Sequence, residues 1–596
     1  MSSLFRKLEI PPGVVATATK QMNSSNWAEV NMMRWVEGQL SPIGGQAAYT
    51  YQFASRCRVV HGWFGLDQVY RIAYLCEANL YVDEGGVLTE ITPVDGITAP
   101  APLLEGGYGT GQYSASTYGT PRPAGTPLPQ IVNLPSVYSL DNFGALLYAM
   151  TSLDTRLLVW DPAVGTKSGV VSATAAFTTS SPNITMAANP GWVVPGMTVY
   201  DTSNNQYIGV VQTYVGTALV LKANAAHASS GATDVLKFAN LAAAQFGAPL
   251  GRCFVVTPER FIQIFGQFSD GTVGGGSARR FGWCDQEDPS NWAFIDVTSQ
   301  AGFLDVEPAS PIITALATRH GTLFWTAKTA FLSQFVGLPY VYNYVWVADN
   351  CTPWSPESMA TTSTMAMWMS NQGMFAFDGT NIDPVPCAVR TWINDDIDLA
   401  NVREQACAVH VAPFSEFWWF YPQLGQPYNT RVVIFNYKEG WWSQATMSRS
   451  AGITASYTAN TVMADGLIAY QHEIGTIYPS DVPLPWAESF DLNITPNGNL
   501  VTVKQMIPDV KAVNAPDINS IAATIGNLRY SLFYRNSRSL GSSELQTPPR
   551  SVRTNGYVDF RTTGRDIRLK IELAGPKVLP FTIGQHLVDA VARGDR

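Results

Sequence analysis

The chain has 596 residues, enough for about four domains of ordinary size. Apolar residues make up 46% and charged ones only 14%, so it can bury large cores and is not a disordered polymer. Its formal charge of −9 argues against a protein that coats nucleic acid through phosphate pairing, and its 49 Gly and 38 Pro suit many turns without reaching low complexity.

The stretch Met1–Pro12 holds no apolar core of a secretory signal, and no run of 18 apolar residues follows, so neither export nor a membrane-spanning segment is expected. Seven cysteines, odd in number and scattered through apolar sequence, read as reduced, buried thiols of a protein made in a reducing cytoplasm. Beyond residue 50, short runs of Val, Ile, Tyr, Phe and Trp end at Gly, Pro, Asn or Asp, the pattern of antiparallel strands in an all-β fold. A turn leading into an aromatic strand recurs at Asp67, Gly144, Glu259, Gly321, Gly373, Glu416 and Gly466. The last five starts are 43 to 62 residues apart, close to the length of a four-stranded propeller blade. The first two intervals are longer by a Gly/Pro/Ser-rich stretch at 96–133 and a nearly uncharged segment at 167–239. Four strands ending on an acid or amide, at Asp83, Asp161, Asp378 and Asn436, support blades over unrelated hairpins. The predicted order is a segment 1–50 packing on the terminal domain or the first blade, then a six- or seven-bladed β-propeller in two parts, 51–166 and 240–484. An inserted small β-domain at 167–239 interrupts it, and a C-terminal β-sandwich-like domain at 485–596 ends the chain. Helical character is confined to Lys237–Phe246 and Gln585–Ala592.

Chemical motifs are sparse. The six histidines show no ligand spacing and no Cys-x-x-Cys occurs, so no metal or cofactor is expected. Gly107-Tyr-Gly-Thr-Gly111 lacks the spacing and flanking elements of a dinucleotide turn and reads as a loop. Glu287 with Asp288, and Asp395 with Asp396, are the dense acidic clusters a glycosidase would need, yet both sit in turn sequence and read as solvated carboxylates. Trp418-Trp419 and Trp441-Trp442 read as packing between sheets rather than sugar platforms. No catalytic residue is expected. Charge is concentrated near the C-terminus, where Arg529–Lys570 holds nine basic residues against three acidic, a local +6 that leaves −15 elsewhere. Arg529, Arg535, Arg538, Arg553, Arg561, Arg565, Arg568 and Lys570 are therefore candidate docking residues for an acidic partner, since arginine pairs carboxylates in bidentate fashion.

Several segments together carry a family likeness. The stretch Asn26-Trp-Ala-Glu-Val-Asn-Met-Met-Arg-Trp-Val-Glu-Gly-Gln-Leu-Ser-Pro-Ile-Gly-Gly45 resembles the N-terminal signature of the tail nozzle, packaged-DNA stabilisation (tail tubular) proteins of short-tailed bacteriophages. That signature runs Arg-Trp/Phe, Gly, then Pro-x-x-Gly-Gly, commonly followed by Trp, and Gln46 departs from it at the last position. Similar residues continue in Asn79–Pro93, Val256–Phe261, Phe281–Trp292, Val433–Ser443 and Gly564–Ile571, while 167–239 lies outside the likeness. The resemblance implies a structural protein of the virion tail, made in the host cytoplasm: a propeller subunit forming a homo-oligomer, a hexameric ring below the portal and adaptor. Its implied partners are the tail adaptor ring, tail fibres or spikes, and double-stranded DNA passing through the lumen. The alternative is a tail-associated propeller glycosidase or a carbohydrate-binding receptor protein.

Overall fold

Short strands stopped by turn-formers pair mostly with their sequence neighbours in the central sheets, while the insert and the terminal domain pair distant segments. The computed structural model describes residues 5–17, 22–98, 134–165, 167–202, 206–231, 234–267, 276–294, 298–307, 310–454, 460–492, 494, 500–513, 525–537, 543–575, 577 and 580–593.

Seven four-stranded antiparallel sheets form a propeller. In strand order from the axis outwards, blade 1 is Cys57–Phe64, Tyr70–Cys76, Leu80–Glu84 and Val87–Glu90. Blade 2 opens with Tyr138–Phe143, Leu146–Thr151 and Leu158–Trp160 and is completed by Ala243–Ala244. Blades 3 to 6 span Cys253–Asp305, Ile312–Asp349, Met359–Val385 and Cys407–Thr446 without exchange of strands. Blade 7 takes Ala451–Thr454, Thr461–Asp465 and Ile468–His472 from its own stretch of chain and borrows its outer strand, Gln46–Gln52, from the N-terminal region. The ring is thus clasped by hydrogen bonds between residues more than 400 positions apart.

Aromatic side chains fill the wedges between blades. Trp325 and Trp368 meet edge to face at 5.1 Å between blades 4 and 5, and Trp63 meets Trp160 at 6.5 Å between blades 1 and 2. Phe265 and Phe324 join blades 3 and 4 at 5.4 Å. Such pairs add to the large apolar area each ring removes from water. The inner strands run in one direction, because their first residues gather at one end of the axis: Tyr138 near Glu357, Ser136 near Glu404, Arg252 near Ile313, Ser450 near Cys57. By alternation, connections from first to second and from third to fourth strands emerge on the other face.

The segment expected as an inserted domain forms a six-stranded sheet, Gly169–Ser172 through Val235–Ala239, whose two edges meet at the Ala173–Met186 bridge. Phe238, Val199, Ile208 and Leu236 form a core of its own. Both ends of the chain build the remaining domain. Phe5–Lys7 pairs with Leu587–Ala592, Trp27–Asn31 with Trp486–Ser489, and Gln39–Pro42 with Phe581–Ile583, in three sheets around Val503, Leu532, Phe560 and Leu569.

Both expected helices are strands. Leu587–Ala592 lies between Phe5–Lys7 and Val501–Ile507, and 237–246 holds the strands Val235–Ala239 and Ala243–Ala244. Alanine and leucine favour helices locally, but here unpaired sheet edges claim them. Among the described residues, the helices Arg390–Asp396 and Val402–Gln405 bridge blades 5 and 6. Gly107–Gly111 and Arg538 lie outside the described residues.

Candidate functional site

The signature segment builds the joint between the propeller and the terminal domain. Met33–Val36 places Arg34 in full burial, with its guanidinium 2.6 Å from Glu473, 3.3 Å from Glu416 and 3.7 Å from the centre of the Phe414 ring. Glu416 also accepts from Trp418 Nε1 at 2.8 Å, and the second oxygen of Glu473 accepts from the Gly44 amide at 2.9 Å. Burial works against the Arg34 charge, but the two carboxylates outweigh it and hold its pKa above the ordinary value, while burial pushes Glu416 up. A Cβ at Gly44 would lie 2.3 Å from a Glu473 oxygen, and one at Gly45 2.6 Å from the Gly475 backbone. Both positions therefore require glycine for close approach rather than for a special φ. Gln46, the departure from the signature, is equally occupied: its oxygen accepts from Arg449 Nη2, whose Nε donates to His472 Nε2 at 3.1 Å. Burial lowers the His472 pKa well below its usual range, which keeps the ring neutral and able to accept.

At the axial end where the inner strands begin, a second charged cluster spans the ring. Glu357, ahead of blade 5, accepts from the Tyr138 amide of blade 2 at 3.1 Å, and Glu404, ahead of blade 6, accepts from the Ser136 amide at 3.0 Å. Arg58 of blade 1 donates to the Glu404 carbonyl and to Gln405 Oε1, lies 3.6 Å from the Glu404 carboxylate and 3.8 Å from Glu77, and covers the Tyr138 ring at 5.2 Å. Arg252 of blade 3 donates to the carbonyls of Ile313 and Pro135. Pro135–Tyr138 thus crosses the axis, tied to blades on opposite sides. Burial pushes the Glu357 carboxyl up to about 7.

The basic residues of the terminal domain are largely engaged within it. Arg568 pairs with Glu488 at 2.6 Å and with Glu544, and Arg535 lies 3.6 Å from Glu544. Arg553 pairs with Asp559 at 2.7 Å and Lys570 with Glu572 at 3.3 Å. Arg529 donates to the carbonyls of Gly526 and Leu528. Arg565 sits half-buried in the turn after Val558–Gly564, and Arg561 is exposed. The run of charge in the sequence is therefore divided by acids that fold back onto it. Glu287 and Asp288 are turn carboxylates, Asp288 accepting from Ser290 and Glu287 pairing with Arg260 at 2.6 Å, whereas Asp395 and Asp396 end the helix Arg390–Asp396 instead of lying in a turn, with Asp396 3.1 Å from Arg431. Trp418, Trp419 and Trp442 are buried, with Trp419 and Trp442 stacked at 6.1 Å. Among the described residues, no cluster of three or more His, Cys, Asp or Glu is arranged to hold a metal, and no helix is long and apolar enough to cross a membrane.

Sequence reading missed the axial cluster. Its members are up to 347 positions apart, and each stands in ordinary turn sequence, so no spacing rule marks them.

These features define a multi-domain all-β protein organised around a propeller. No protein-family model and no curated protein matches the chain. Among solved structures it is similar to a surface component of the type-IX secretion system of Porphyromonas gingivalis, at 8% identity and a TM-score of 0.20, covering 58% of this chain and 44% of that one. The chain thus spans under half the length of that protein. It is also similar to an exo-β-1,3-galactanase from Phanerochaete chrysosporium, at 8% identity, covering 76% and 95% of the two chains with a TM-score of 0.18. The extracellular domain of a hybrid two component system from B. thetaiotaomicron matches at 8% identity over 94% and 95%, with a TM-score of 0.23. At these TM-scores the likenesses carry no functional argument.

Proposed function

We propose that the chain is a structural subunit of a short-tailed bacteriophage virion, forming with its copies a hexameric nozzle ring below the portal and adaptor that conducts DNA and helps retain it in the filled head. The observation that carries this reading is the use made of the signature segment: Arg34, Gly44 and Gly45 act in the joint between propeller and terminal domain, as an architectural motif should. Pro135–Tyr138 crosses the propeller axis, so the DNA path in this reading runs through the lumen between copies. No catalytic residue is assigned. The tail adaptor is the partner expected above the ring, and fibres or spikes the partners outside it. Electron cryomicroscopy of the purified chain and of filled heads is expected to show a sixfold ring at the tail. Release of reducing sugars from host polysaccharide by the purified protein would replace this reading with that of a tail glycosidase.

A further inference from the structure

Blade 4 differs from the other blades in its outer half. Its third and fourth strands, Thr329–Gly337 and Val341–Asp349, are nine residues each, whereas the outermost strands of the other blades have two to seven. Residues 329–348 contain no Asp, Glu, Lys or Arg. One side of the hairpin is anchored, with Phe335 within 6.0 Å of Phe261 and 5.6 Å of Tyr342, and the Tyr342 hydroxyl within 2.8 Å of Thr257 Oγ1. Other side chains face water: at the tip Val336 is 53% exposed, Leu338 72% and Tyr340 77%, and nearer the base Trp346, opposite Phe331, is 61% exposed. The last strand is also a sheet edge with no proline and a single charge, Asp349, at its far end, so most of it lacks the features that protect such edges. With side chains of this size, the exposed apolar area is on the order of 600–700 Å², close to the roughly 800 Å² one partner contributes to a stable interface.

A second apolar surface lies three blades away. In blade 1 the turn after Cys57–Phe64 exposes Phe64, Leu66 and Val69, with Leu66 at 90%, and Val87 of the same blade is 67% exposed. Phe64, Gly65, Gln68 and Tyr70 line a shallow open depression there. The blade 1 turn joins first to second strand and the blade 4 turn joins third to fourth, so both emerge on the same face, on opposite flanks. An apolar projection, and a depression of mixed polarity flanked by the exposed Leu66 and Val87, at different places on one molecule can make head-to-tail contacts, which close into rings when the rotation permits.

We infer that the blade 4 hairpin of one copy seats its Leu338–Tyr340 tip on the Phe64–Tyr70 depression of the next copy, and that this contact builds the ring. The inference rests on the ring-forming reading above and names its interface. The test compares, by mass photometry, the unmodified chain with a tip variant, Leu338→Asp with Tyr340→Asp, and a depression variant, Leu66→Asp, in the turn that forms the depression. Unchanged circular dichroism and melting confirm folding, and Leu338→Ser with Tyr340→Ser serves as a milder tip variant. Each variant is expected to weaken self-association about 100-fold and to appear as the 64.8 kDa monomer. Mixing the two variants is expected to give a two-copy particle, because each keeps the surface the other has lost. Rings formed by both variants would overturn the inference and leave the ring reading standing. Self-pairing of the depression variant would show a two-fold tip-to-tip contact and overturn it too. A wild-type chain that stays monomeric would overturn both.

Discussion

Glu357 shows how little of a site's chemistry is visible in the residues around it. In the sequence it is one acid in a Ser-Pro-Glu-Ser turn; in the fold it is half-buried and accepts from the Tyr138 amide, 219 positions away. Its carboxyl moves from 4.5 to about 7 on folding, so between these values the native state binds the extra proton. Its contribution to stability is therefore fully present below pH 4.5 and is lost as pH rises through about 7. Glu357→Gln keeps the acceptor without the charge. The variant is expected to match wild type in urea denaturation near pH 4.5 and to exceed it by roughly 2–3 kcal/mol at about pH 8; an equal difference at both pH values would refute the assignment. Arg34 gives the opposite case. Arg34→Ala strands the buried Glu416 and is expected to cost about 3–5 kcal/mol, measured as a lowered denaturation midpoint. Arg34 was legible as part of a motif, but its carboxylate partners, hundreds of positions away, were not.

At the scale of elements, the repeat was legible because every blade contains a tight turn whose backbone must enter the left-handed region. Gln68, Gly144, Arg260, Gly321, Gly373, Ser415 and Gly466 all have φ between 56° and 135°. The turns are not equivalent, however: those at Gly373 and Gly466 lead into the third strand of their blades and the others into the second. Turn chemistry reports that the chain reverses, not which reversal it is, which explains the uneven spacing. The two false helices have a related cause, since short Ala- and Leu-rich stretches carry weak local preference and distant partners decide. Trp325→Ala, which removes a fully buried ring from the wedge between blades 4 and 5, is expected to cost about 3–5 kcal/mol by the same denaturation assay. The six-stranded insert has its own core, so replacing 169–239 with a short Gly/Ser linker is expected to leave the propeller folded by circular dichroism and melting. Global unfolding of that variant would show the insert to be part of the propeller's stability.

For the whole molecule, the charge asymmetry of the sequence resolves into pairs. Arg568 holds Glu488 and Glu544 together across neighbouring strands, so Arg568→Glu is expected to destabilise the terminal domain itself. Arg561→Glu changes an exposed position and, on the proposal that the chain is a nozzle subunit, tests docking to an acidic adaptor ring. It is expected to leave the fold intact and to weaken assembly onto filled heads, more so at low salt, because screening shortens from about 10 Å at 0.1 M to about 3 Å at 1 M. Normal assembly by this variant would reduce the patch to a solvated face. The clasped architecture also sets a schedule for synthesis. Gln46–Gln52 is among the first strands made, yet its pairing partner, Ile468–His472, comes late, and Phe5–Lys7 must wait for Leu587–Ala592. At about 5–20 residues per second, the stretch between Gln52 and Ile468 takes roughly 20 to 80 seconds to translate, and until it is made Gln46–Gln52 lacks its partner strand. A chain cut short before Phe581–Ile583 and Leu587–Ala592 therefore lacks the strands that pair with Gln39–Pro42 and Phe5–Lys7 and leaves the terminal domain open.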